Sequence, residues 1–116
     1  MEQKFIVTDT HTAIHLGSGD LPVLGTPALV AMLENVAMNA AKPLLEAEYT
    51  TVGAHIAIDH LRPTPVGDTI VATATLTAQE NRKLTFSLTA SDSRGEVAKG
   101  THVRFIVSQQ KFMSKL

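Results

Sequence analysis

A single carboxylate stands inside a mostly apolar stretch of the sequence. Residues 32–38 read MLENVAM, and winding them as a helix puts Glu34 in the middle of an apolar stripe, formed by Val30, Ala37, Met38, Ala41 and Leu45. A carboxylate in such a place must be protonated, paired or hydrogen-bonded, because an unpaired buried ion costs on the order of several kcal/mol. Glu34 can then be a nucleophile or a general base, or it can be the structural partner of an arginine or part of a subunit contact.

A hydroxyl and an imidazole elsewhere in the chain could complete such chemistry. Thr26 precedes Pro27, which is the usual pattern at a helix start, so its hydroxyl can be a simple cap or can orient a reacting group. His60 lies in an alternating segment and carries the side-chain type that exchanges protons near neutral pH. Taken alone, each of the two also fits an ordinary structural role.

The elements that must position these residues follow from the periodicity of the sequence. A segment from Thr8 to Gly25, rich in Gly, Thr, Asp and Pro, is predicted to be mostly loop. A helix is predicted from Pro27 to about Pro43. Period-two alternation then predicts four strands at about residues 52–62, 69–78, 84–90 and 97–107, the last bent near Gly100. This pattern is typical of an α+β fold in which an antiparallel meander curls around one helix.

Composition limits the class of protein. The 116 residues, 44% of them hydrophobic and 18% charged, are predicted to form one globular domain over residues 1–116. A net charge of -1 gives no general attraction for nucleic acid or for an anionic membrane. No apolar run reaches the roughly 20 residues that span a bilayer, and the amino terminus has no signal-peptide pattern. We therefore expect a cytoplasmic protein without nucleic-acid or membrane partners.

Cysteine and histidine usage argues against two further kinds of site. The chain has no Cys, which excludes disulfides, thiolate metal sites and a Cys nucleophile. His11 and His15 are four residues apart, but their segment is not predicted to be helical and offers no third ligand. No metal site is expected.

Five segments, in this order and at these spacings, resemble the hotdog-fold acyl-CoA thioesterases of the fluoroacetyl-CoA thioesterase type. They are GTPA at residues 25–28, Glu34 within the helix, TVG at 51–53, IDHLRPTPVG at 58–67 and GTHVR at 100–104. The resemblance implies a hotdog fold, in which a curved antiparallel sheet of about five strands wraps one long central helix. It also implies a homodimer with active sites at the subunit interface.

The resemblance further implies a catalytic trio of Thr26, Glu34 and His60, acting on a coenzyme A thioester without a metal or redox cofactor. Arg104 stands where the family has an arginine close to the acyl group. The backbone N–H near Gly53 is our candidate for the oxyanion contact, since glycine permits close approach. We expect Glu34 to attack the thioester carbonyl or to activate a water, with Thr26 orienting it and His60 serving the leaving group or the acyl intermediate.

One departure from the family bears on the substrate. The fluoroacetyl-CoA enzyme has bulky aromatic lid residues in the loop before its threonine, whereas residues 17–23 of this chain read GSGDLPV. We therefore expect a short-chain or small substituted acyl-CoA rather than fluoroacetyl-CoA. Two alternatives stay open at this point: a hotdog dehydratase or hydratase, and a non-catalytic acyl-CoA-binding module.

Overall fold

A computed structural model describes all 116 residues as one antiparallel sheet packed against one long helix. The sheet has the strand order β1-β3-β4-β5-β2. Its strands are β1 (Glu2–Ile6), β2 (Tyr49–His60), β3 (Thr69–Glu80), β4 (Lys83–Asp92) and β5 (Gly95–Ser108). The helices are α1 (Ala13–Leu16), α2 (Thr26–Ala41) and α3 (Gln109–Ser114), with 3-10 turns at Asp9–His11 and Lys42–Leu44. The predicted α+β plan, with a single long helix and five strands, is confirmed.

Helix α2 begins and ends close to where its sequence predicts. Gly25 is its N-cap, and Pro27 lies in the first turn, where a missing N–H costs no helical hydrogen bond. The helix ends at Ala41 and passes into a 3-10 turn that contains Pro43. Its inner face contributes six buried side chains to a core of 17 residues: Leu29, Met32, Leu33, Val36, Ala37 and Ala41.

The strands present one apolar face to this helix, as their alternation predicts. In β4 every second residue is buried, namely Leu84, Phe86, Leu88 and Ala90. In β2 the side chains of Ile56, Ile58 and His60 are half-buried, whereas Ala57 and Asp59 between them are exposed. The core therefore lies between the concave sheet face and α2.

The predicted meander is wrong for the first of its four strands. Strands β3, β4 and β5 follow one another as antiparallel neighbours, but β2 lies beyond β5 at the far edge of the sheet. Pro63 and Pro65 lack the N–H needed to continue a ladder, so the chain leaves the sheet after His60. Thr64 is buried in this crossing, and its carbonyl accepts a hydrogen bond from the Leu24 amide at 2.9 Å.

Three further details differ from the sequence prediction. The register shift between β4 and β5 falls at Val97, whereas Gly100 keeps regular pairing. A Cβ at Gly100 would collide with the Ala57 carbonyl oxygen, so glycine there allows β2 to approach closely. The Thr8–Gly25 segment contains the short helix α1, and the chain closes with α3, which the pattern did not predict. None of the helices combines the length and the apolar character that crossing a membrane requires.

Candidate active site

Thr26 and His60 meet at the amino-terminal end of α2. The Thr26 hydroxyl oxygen lies 2.8 Å from Nδ1 of His60, across the boundary between the helix start and the last residue of β2. Both residues line a pocket of about 330 Å³ together with Arg62. The structure thus brings two of the three expected catalytic residues into direct contact.

The surroundings of His60 favour the neutral form of its ring. Burial lowers its pKa, and a backbone interaction with Arg62 only partly opposes the shift. Its second nitrogen, Nε2, is buried and has no hydrogen-bond partner. A neutral imidazole with one nitrogen on a hydroxyl and the other unpaired can accept or deliver a proton once a substrate is bound.

Glu34 belongs to a second group of residues. Its Oε2 atom lies 3.8 Å from Nη1 of Arg104 and 3.9 Å from Nε2 of His102. These distances exceed those of a hydrogen bond, so the attraction between Glu34 and the Arg104 cation is purely electrostatic.

The prediction that Glu34 is buried is wrong within a single chain. Its side chain is 38% exposed and opens on a pocket of about 270 Å³, lined also by Ala31, Asn35, Met38 and Arg104. The sheet covers the face of α2 that carries Leu33 and Ala37, and the face that carries Glu34 lies beside it. The carboxylate is therefore accessible from solvent in a single chain.

The tautomer of His102 follows from its two partners. Its Nδ1 lies 2.7 Å from the His55 carbonyl oxygen, which can only accept, so Nδ1 carries the proton. Its Nε2 lies 3.2 Å from Nη1 of Arg104, which can only donate, so Nε2 accepts. Burial and the Arg104 charge lower the pKa of His102, while the His55 carbonyl and Glu34 oppose that shift. The neutral ring thus has no proton to offer Glu34.

Arg104 is a fixed cation beside the Glu34 carboxylate. It is 6% exposed, its Nε donates to the Thr51 hydroxyl at 2.8 Å, and its Nη2 donates to the Thr51 carbonyl at 3.1 Å. Burial lowers its pKa and Glu34 opposes the shift, but a guanidinium stays protonated in proteins. Its charge and orientation are therefore constant over the working pH range.

Gly53 provides the space around the carboxylate. It pairs with Arg104 in the β2–β5 ladder, at a register shift that also involves His55. A Cβ at this position would stand 2.7 Å from Oε2 of Glu34 and 3.3 Å from Cε1 of His102. Any larger residue would have to displace the carboxylate.

The expected trio is not assembled within one chain. Thr26 and Glu34 are eight residues apart on α2, which is about 12 Å along the helix axis. No hydrogen bond or ion pair links Glu34 to Thr26 or to His60. The chain instead carries two separate groups of the expected site residues, which we name half-sites: the Thr26–His60 pair, and Glu34 with Gly53 and Arg104. No group of three or more His, Asp or Glu side chains is arranged to hold a metal ion.

Sequence reasoning missed two residues of the second half-site, Thr51 and His102. Both lie in segments that the family resemblance had already marked, TVG and GTHVR. The available signal was alternation, because His102 and Arg104 are two residues apart on a strand and so share the face that is turned toward the helix.

Comparison with known proteins places this geometry in a family. A family model described as fluoroacetyl-CoA-specific thioesterase matches residues 7–110. The fluoroacetyl-CoA thioesterase of Streptantibioticus cattleyicolor is 33% identical over 94 residues, which are 81% of this chain and 68% of that protein.

Solved structures agree with the sequence comparison. The fluoroacetyl-CoA thioesterase FlK superimposes with a TM-score of 0.95 at 30% identity, covering 99% of this chain and 90% of that one. A thioesterase superfamily member from Thermus thermophilus, at 19% identity, superimposes with a TM-score of 0.91 over 98% of this chain and 85% of its own, which supports the fold alone. The chain therefore belongs to the family of fluoroacetyl-CoA-specific thioesterases, a family of thioester hydrolases with the hotdog fold.

Proposed function

We propose that this thioester hydrolase cleaves short-chain or small substituted acyl-CoA, with Glu34, Thr26 and His60 carrying the reaction. The observation that carries the proposal is the Glu34 carboxylate, which is open to a pocket and stands 3.8 Å from a buried arginine cation. A purely structural ion pair has no need of such access. Substrate-sized space on one side and a fixed charge on the other are what a reacting carboxylate requires.

Each group has a defined task in this proposal. Glu34 attacks the thioester carbonyl or takes a proton from the attacking water, and the Arg104 cation lies 3.8 Å from its carboxylate. The backbone N–H of Gly53 is the candidate donor to the carbonyl oxygen as negative charge develops there. The attacking water supplies the proton that the thiolate sulfur takes up as the C–S bond breaks. The neutral His60 ring, oriented by Thr26, relays a proton by accepting one at one ring nitrogen as it releases one from the other. If Glu34 attacks directly, a water must then hydrolyse the anhydride between Glu34 and the acyl group, so that on either route a carboxylate and free coenzyme A are released. The reaction as proposed uses no metal or redox cofactor.

The two half-sites support a homodimer with shared active sites. The outer edge of β2 has no neighbouring strand, and an unpaired twelve-residue edge is a natural surface for association. Antiparallel pairing of two such edges about an axis near Ile56 and Ala57 would set Gly53 opposite His60 of the second copy. Each site would then take Glu34 and Arg104 from one chain, and Thr26 and His60 from the other.

The space beside Glu34 supports a small apolar acyl group. Ala31 and Asn35 line both the Glu34 pocket and an adjoining pocket of about 420 Å³. That second pocket is walled mainly by apolar side chains, including Phe5, Leu16 and Met32. No aromatic residue from the 17–23 loop fills it, which favours acyl groups larger than fluoroacetyl.

The proposal is tested by thiol release from a series of acyl-CoA substrates of increasing chain length. We expect the wild type to cleave a short member of the series and Glu34→Gln to lose roughly 10³-fold in kcat/KM with its fold intact, because only the ionised carboxylate can act. Glu48→Gln, an exposed carboxylate outside both half-sites, is the matched control.

Two results would contradict the proposal. Near wild-type turnover by Glu34→Gln would make the carboxylate structural. Tight acyl-CoA binding without cleavage would favour the binding-module alternative, and hydration of an enoyl-CoA would favour the dehydratase or hydratase.

A further inference from the structure

Three cationic side chains surround one small pocket at the end of the sheet opposite to His60. The pocket, which we name the C-terminal pocket, has a volume of about 140 Å³ and lies where β5 passes into α3. Its lining residues are Arg82, Val107, Ser108, Lys111, Phe112 and Lys115. Three of the ten Lys and Arg residues of a chain with net charge -1 are thus gathered at one place.

These cations have no ion-pair partner in the fold. The ion pairs of the molecule involve Arg62, His102 and Arg104, and no carboxylate lies within ion-pair distance of Arg82, Lys111 or Lys115. The Arg82 guanidinium lies over the Tyr49 ring, 5.6 Å from its centroid, which holds it at the pocket without neutralising it. Unpaired cations around a concavity favour an anionic ligand.

Two pockets along β5 lie between this place and the Glu34 carboxylate, and of the three pockets only the two nearer to α3 share a lining residue, Arg82. Arg104 lines the Glu34 pocket, and Ile106 with Arg82 lines the next one. Arg82 with Ser108 then lines the C-terminal pocket. The stretch of β5 from Arg104 to Ser108 spans about 13 Å, so a long flexible ligand could reach from one end to the other.

We propose that the C-terminal pocket binds the phosphate groups of coenzyme A, with the pantetheine arm lying along residues 104–108. The inference rests on the proposed function, because it requires an acyl-CoA whose thioester lies at Glu34. Lys and Arg side chains form charge-assisted hydrogen bonds with phosphate oxygens, and the three donors face one small volume. The pocket therefore selects the nucleotide end of the substrate, at a distance from the reacting bond.

The test compares an acyl-CoA with the same acyl group on pantetheine, which lacks all the phosphates. We expect the wild type to show a KM for acyl-CoA at least roughly 10-fold below that for acyl-pantetheine, and a KM for acyl-CoA that rises with salt. In the Lys111→Glu/Lys115→Glu variant this preference should disappear. Lys4→Glu, a charge reversal on β1 at the other edge of the sheet, is the matched control and should keep the preference.

Binding of free coenzyme A and of pantetheine, measured by calorimetry, provides a readout that needs no hydrolysis. The double variant should bind coenzyme A at least roughly 10-fold more weakly than the wild type and should no longer distinguish the two ligands. If the wild type hydrolyses both substrates and the double variant keeps the preference for acyl-CoA, the inference is overturned while the proposed function stands. If the wild type hydrolyses neither, the proposed function fails, and calorimetry alone decides whether the pocket recognises phosphate.

Discussion

Gly53 is the residue at which backbone geometry acts most directly on Glu34, the group that we propose reacts with the substrate. Its missing side chain lets β2 pass close to Glu34, and the nearest carboxylate oxygen would be 2.7 Å from a Cβ built there. That distance is shorter than real Cβ contacts, so the carboxylate of a Gly53→Ala variant must move. The space in front of Arg104 therefore exists because residue 53 has no side chain, and no polar side chain is needed to form it.

Gly53→Ala should lower kcat/KM by roughly 10²-fold, because a displacement of the reacting carboxylate by about an ångström costs on that order. The free energy of unfolding should change little, since Gly53 is exposed and lies at a strand irregularity. Thiol release and urea unfolding of the same preparation measure the two effects. Unchanged activity would mean that Glu34 can act from another position.

His102 makes stability depend on pH in a defined direction. Its pKa in the folded chain is lowered from 6.5, chiefly by burial, so between those two values the unfolded chain binds more protons. The free energy of unfolding is therefore highest above pH 6.5 and falls as the pH drops through the folded pKa. His60, whose pKa is also lowered by burial, acts in the same direction.

Urea unfolding at several pH values between about 7.5 and 5 should show this loss in the wild type, and a flatter dependence in His102→Gln. The variant has a lower stability throughout, so the slope with pH is the quantity to compare. His15→Gln removes an exposed histidine and should keep the wild-type slope. An unchanged slope in His102→Gln would place the titrating group elsewhere.

At the scale of the elements, the sequence predicted the positions of helices and strands better than the order of the strands in the sheet. The start of α2 at Thr26 and the buried face of β4 follow from a proline position and from strict alternation, both of which act within a few residues. The position of β2 beside β5 does not follow from such local patterns, because strand order depends on contacts between distant segments. Helix α3 has no strong start signal beyond Ser108, whose hydroxyl accepts from the Lys111 amide at 3.4 Å.

The same distinction applies to the site. Glu34 could be singled out from sequence because a carboxylate in an apolar stripe violates the helical pattern. The partial exposure of Glu34 could not be predicted from sequence, since exposure on one side of α2 depends on where the sheet ends. The partnership of His102 with Arg104 likewise depends on the pairing of β5 with β2, which brings the His55 carbonyl to the ring.

At the scale of the whole molecule, the two half-sites make a prediction about mixed dimers. Glu34→Gln and His60→Asn should each be inactive alone, because every site lacks one essential group. When the two variants are unfolded together and refolded, half of the dimers should be mixed, and each mixed dimer should have one intact site. Roughly a quarter of wild-type activity should return.

The result depends only on which chain supplies which residue. A trio drawn from a single chain would give no recovery in any mixture, since every chain would carry a defect. Light scattering on the same samples gives the oligomeric state, and an active monomer would contradict the shared site. Refolding each variant by itself is the control for recovery by reversion or contamination.

The far-edge position of β2 also has a consequence for the order of events during synthesis. The chain makes β2 before its only neighbour, β5, and Tyr49 must wait for Ser108 before the last pair of the ladder can form. Strands β3, β4 and β5 join through short connections, so their hairpins can close early, whereas docking of β2 carries the entropy cost of a much longer loop. The strand that we assign to the dimer interface therefore cannot pair until β5 has been made, and a nascent chain exposes both of its edges until then.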